Sequence, residues 1–194
     1  MSSIRVTDKG LTQRQIGVVL SFEELHANDD IEYGLTVDEN GNIIKIKKGT
    51  GKEIEWNGYE LPWNGVMTHN HPLDKTLTEG SRFYKSVGQT FSSKDISMAI
   101  DNNLAEIRVR TPNYIFSMRR GKSSWGMTGD EFSHIYATRY KKEEKTAREY
   151  IGEKGISQTE REERIGRVNV NLPHTVMKGL AKTYGFIYTR AKVK

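Results

Sequence analysis

The sequence predicts an α+β fold, and three observations carry that prediction. Short strand-like apolar segments dominate as far as residue 70. A capped helical pattern and two further strand patterns follow between residues 92 and 120. The remainder is rich in charged, capped helical segments. At 194 residues the chain suits one compact domain with an extension: a domain over 1–120 and a charged helical extension over 121–194. With 35% hydrophobic and 28% charged residues, a modest core under a highly charged surface is expected.

"IGVVLSF" (16–22) reads as a buried-type strand. "EYGLTVDENGNIIKIKKG" (32–49) reads as two strands about an Asn-Gly turn. "NGVMTH" (64–69) is a short apolar strand, and the polar stretch 73–91 that follows has no period and reads as a functional loop. In "SSKDISMAIDNNL" a serine caps a helix whose Ile96, Ala99, Ile100 and Leu104 recur near the helical period. "AEIRVR" and "YIFSM" are strands joined by a turn at "TPN". Thr128 with Glu131 opens a long helix, and Ser157 with Glu160 opens another. Pro173 suits the first turn of a last helix, which Gly185 ends before "FIYTR".

The chemistry concentrates in "GVMTHNHPLDK" (65–75). Side chains alternate along an extended segment, so His69 and His71 project from one face at the end of a strand, and Pro72 stops it there. The chain has no cysteine, so a metal must be held by His, Asp and Glu. A catalytic zinc takes three protein ligands and keeps a position open. Asp95, in the first turn of the helix capped by Ser92 or Ser93, is the third candidate ligand. Glu32, at the start of a strand, is the candidate base. Asn70, between the histidines, should face the other way and bond backbone.

"THNHP" followed by "SSKDI", with an upstream glutamate, resembles the motif of the JAMM (JAB/MPN) metallohydrolases over roughly residues 17–120. The resemblance implies a curved mixed sheet between helices, zinc held by His69, His71 and Asp95, Glu32 as general acid/base, and Ser92 as a donor to the oxyanion. It implies cleavage of a peptide or isopeptide bond, in a peptide, protein or modifier conjugate. With "AKTYGFIYTR" added, the pattern is also similar to JAB-like proteins of bacteriophages. Two points depart from the family. Asp95 follows His71 by 24 positions (71 to 95), which leaves Asp74 and Glu79 as substitutes. Glu23 and Glu24 are alternative bases.

A second reading is a non-catalytic binding module of the same fold, used in phage assembly or host interaction. A net charge of +5 and a pI near 9.3 also permit nucleic-acid contact, although acidic and basic residues are interspersed. The chain shows neither a signal peptide nor an apolar run of membrane-spanning length, so a soluble, cytoplasmic protein is expected.

Overall fold

The computed structural model describes residues 5–50, 53–72, 90–122 and 124–193, and the fold is α+β. Among the described residues six strands form one mixed sheet in the order β2-β1-β3-β4-β5-β6. The hairpin β1 (Tyr33–Val37) and β2 (Ile43–Lys48) lies at one edge, and it forms where the Asn-Gly turn predicts it. Asp38 fixes that turn by accepting the amides of Asn40 at 2.9 Å and Asn42 at 2.8 Å, while Gly41 takes φ 85°. Next come β3 (Val66–Asn70) and β4 (Glu106–Arg110), the sheet's parallel pair, with α2 (Ser93–Asp101) between them in the chain. Antiparallel β5 (Tyr114–Arg119) and β6 (Ile187–Lys192) complete the sheet.

The expected strand over 16–22 is instead part of a helix, α1 (Gln13–Leu25). Thr12 and Gln15 form a reciprocal capping box, with bonds of 3.3 and 2.9 Å, that nucleates it. Its Val19, Phe22 and Glu23 recur at helical spacing and are buried against the sheet. Tertiary packing and the cap override the strand preference of the Val-Val pair.

Helices cover both faces. Leu35, Val37 and Val66 meet α1, while Met67, Val109 and Phe116 point to the layer of α2, α3 (Gly129–Ile151) and α4 (Gln158–Tyr184). Packing crosses the boundary expected at 120. Phe132, Val176, Met177 and Leu180 share one apolar cluster with Met67 and Ile107, and β6 belongs to the sheet. The last helix does not begin at Pro173, which lies inside α4. Proline fits a helical φ and forfeits one hydrogen bond, and burial of Val176, Met177 and Leu180 behind it holds the helix continuous. Gly185 ends α4 in the left-handed region at φ 77°, as expected.

A charged cluster sits on the α1 side of the sheet. Arg108 is fully buried and all five of its N–H groups have acceptors. Nε and Nη2 donate to Glu23 at 2.6 and 3.1 Å, and Nη2 also donates to Asp8 at 2.9 Å. Nη1 donates to Glu106 at 2.9 Å and to the carbonyl of Thr7. Among the described residues no helix is long and apolar enough to cross a membrane.

Candidate metal centre

β3 runs buried along its whole length, and its two faces serve different ends. Thr68 points to the α1 side and donates to Glu23 at 3.0 Å. His69, one residue on, emerges on the face covered by α2, and His71 follows it beyond the end of the strand. The His71 amide donates to the Arg110 carbonyl at 2.9 Å, which keeps the segment aligned with β4 as far as the second imidazole. Nε2 of His69 and Nε2 of His71 are 3.0 Å apart.

The third group arrives from the N-terminus of α2. Ser92 caps this helix in a reciprocal box with Asp95. The Ser92 amide and hydroxyl donate to one Asp95 oxygen, Oδ2, at 2.7 and 2.8 Å, and the Asp95 amide donates back to Ser92 Oγ at 3.1 Å. The other oxygen, Oδ1, is left to face the histidines, 3.7 Å from His69 Nε2. One ligating atom from each of His69, His71 and Asp95 lies within 4.8 Å of the others. Donors at ~2.0–2.1 Å around a tetrahedral ion lie roughly 3.3 Å apart, a spacing that 3.0 and 3.7 Å bracket. These three residues therefore form a group able to hold a metal ion.

Electrostatics agree with that chemistry. Burial pushes His69 down to about 4, so it is neutral at pH 7, the state in which imidazole ligates. Burial opposes ionisation of Asp95, but the two histidines and the Ser92 hydrogen bonds outweigh it and hold the carboxyl below its usual range. Nδ1 of His69 is buried and has no hydrogen-bond partner among the described residues.

Glu32 lies immediately before β1, with Oε1 3.9 Å from His71 Nε2, a gap that one water can bridge. Burial, then the charges of Asp95 and Glu53, push its carboxyl up to about 8. A carboxyl poised near neutrality beside a ligand cluster suits proton transfer in both directions. The structure thus brings together all five site residues expected from the sequence: Glu32, His69, His71, Ser92 and Asp95. Glu23 is remote from them, locked to Arg108 on the opposite face of the sheet, and Glu24 is exposed on α1. Asp74 and Glu79 lie outside the described residues.

Asn70 has a larger part than its sequence position suggested. It faces away from the histidines, as expected, and its side chain closes on the backbone to either side of Glu32. Its Oδ1 accepts the Tyr33 amide at 2.6 Å, and its Nδ2 donates to the Ile31 carbonyl at 3.0 Å. The residue between the two candidate ligands therefore fixes the segment that carries the candidate base.

The group opens into a cleft of about 870 Å³, lined from α2, α3 and α4 as well as from the residues around Glu32. Comparison with protein-family models, with curated proteins and with solved structures returns no match.

Proposed function

We propose that this protein is a divalent-metal-dependent hydrolase of the JAMM type, cleaving an amide or isopeptide bond in a peptide or protein. The observation that carries the reading is convergence: two imidazoles, a carboxylate and a raised-pKa glutamate meet in one cleft, from separate elements. Two histidines and an aspartate suit zinc, and His69, His71 and Asp95 would hold it. The ion would supply Lewis acidity to polarise a carbonyl and to acidify a water toward a pKa of ~7.

The protein's own groups divide the remaining work. Glu32 Oε1 accepts a proton from the attacking water and returns it to the departing nitrogen, a role matched by its position one water from the group. Ser92 holds Asp95 by one oxygen and so aims the other at the ligand group. Its hydroxyl is committed to that bond, so donation to an oxyanion requires the hydroxyl to rotate away from Asp95.

Metal content by mass spectrometry is the first test. The expected result is about one zinc per chain, lost in His71→Ala and in Asp95→Ala. Glu32→Gln should keep the zinc and lower turnover on a peptide or isopeptide substrate by about 100-fold or more. A wild-type protein that takes up no metal after zinc is added removes the proposal. An active Glu32→Gln removes Glu32 from the mechanism.

A further inference from the structure

Charge is unevenly placed around the cleft. The lining carboxylates and ammonium, Glu32, Glu53, Lys94 and Asp95, come from the segment 32–53 and the first turn of α2, and Lys94 is paired with Glu53. The helical lining beyond that turn carries no formal charge: Met98 from α2, Tyr136 and Tyr140 from α3, Leu172 and Pro173 from α4. Met98 stands three residues after Asp95, on the same side of α2, so the uncharged wall begins one turn from the ligand. Tyr136 and Tyr140 are one turn apart with ring centres at 5.8 Å, and all five residues are half-buried, leaving surface to offer. Burial pushes the Tyr136 phenol up to about 12, in keeping with a poorly hydrated wall.

We infer that this wall is a side-chain subsite, and that the substrate carries a large aliphatic or aromatic residue beside the scissile amide, seated on Met98, Tyr140 and Leu172. The inference rests on the hydrolase reading above and names its substrate class. A charged side chain seated there would leave water and meet no opposite charge on the helical wall beyond the first turn of α2. A large apolar one gains by leaving water, and glycine gains nothing. The wall therefore selects against a glycine-ended modifier tail. Two of the three, Tyr140 and Leu172, come from the helices that the sequence pattern set apart as an extension.

The test measures binding, independently of turnover. N-acetyl-leucine hydroxamate and N-acetyl-glycine hydroxamate, whose hydroxamates chelate zinc in place of the scissile amide, are titrated by calorimetry into the zinc-loaded protein. The leucine compound is expected to bind at least ~10-fold more tightly. That ratio should fall below about threefold in Tyr140→Ala/Leu172→Ala and persist in Tyr140→Phe, with zinc content unchanged in both. Equal affinities in the wild type, or a ratio that survives the double substitution, overturn the subsite and leave the metal centre standing. Binding of neither compound in a zinc-dependent manner overturns the metal centre, and the subsite with it.

Discussion

At the scale of single residues, the centre depends on a side chain that ligates nothing. Asn70 is almost wholly buried, and both ends of its amide are spent on the backbone beside Glu32. Asn70→Ala leaves the Tyr33 amide and the Ile31 carbonyl without that partner, at a cost of about 1–3 kcal/mol. On the proposed function, Asn70→Ala should take up as much zinc as the wild type, unfold at lower urea and lose at least ~10-fold in turnover, because Glu32 is no longer held. Metal content, a urea titration and turnover on one substrate check this, and full turnover would show that Glu32 is positioned by other means. The candidate ligands are legible in the sequence because their geometry is local: His-x-His shares a strand face, and Ser-x-x-Asp is a helix cap. Asn70's part was only half legible. Its facing follows from alternation, but its partners stand 37 and 39 positions away.

Among elements, the hairpin turn and the helix caps are legible in adjacent residues, whereas α1 and the unbroken α4 are decided by tertiary contact. The hairpin turn and the boxes at Ser92 and Thr128 are written in adjacent residues, and each stands where the sequence placed it. "IGVVLSF" was misread because β-branched residues favour strands, whereas the Thr12 and Gln15 box and contact with Leu35 and Val37 decide for helix. The common position of proline predicts a helix start at Pro173, whereas the structure places it inside a 27-residue helix. An interior proline gives a direct prediction. Pro173→Ala restores a missing backbone donor and should raise stability by about 1–3 kcal/mol, read as a higher urea midpoint at unchanged slope. An unchanged midpoint would mean that the helix already relieves the proline locally.

For the whole molecule, the boundary expected at 120 marks a change of composition, while the apolar cluster runs straight across it. Acid should expose that unity. Nδ1 of His174 on α4 and the Tyr188 hydroxyl on β6 share a hydrogen bond at 2.9 Å, and burial, then the charges of Arg190 and Lys178, push His174 down to about 4. Between about 4 and its ordinary 6.5 only the unfolded chain binds that proton, so its contribution is complete above 6.5 and is lost as pH falls through the window. The urea midpoint should therefore fall from pH 7 to pH 5, less steeply in His174→Asn. Equal slopes would assign the acid sensitivity to other groups.

The buried Arg108 has a consequence for the order of assembly. Its partners on Thr7, Asp8 and Glu23 stand 101, 100 and 85 positions away, and each contact closes a long loop whose entropy must be lost before the charge can be dried. Loop entropy of that size predicts that the guanidinium is buried late in folding, after β3 and β4 have formed. During synthesis the N-terminal turn leaves the ribosome about a hundred residues ahead of the arginine it will cover.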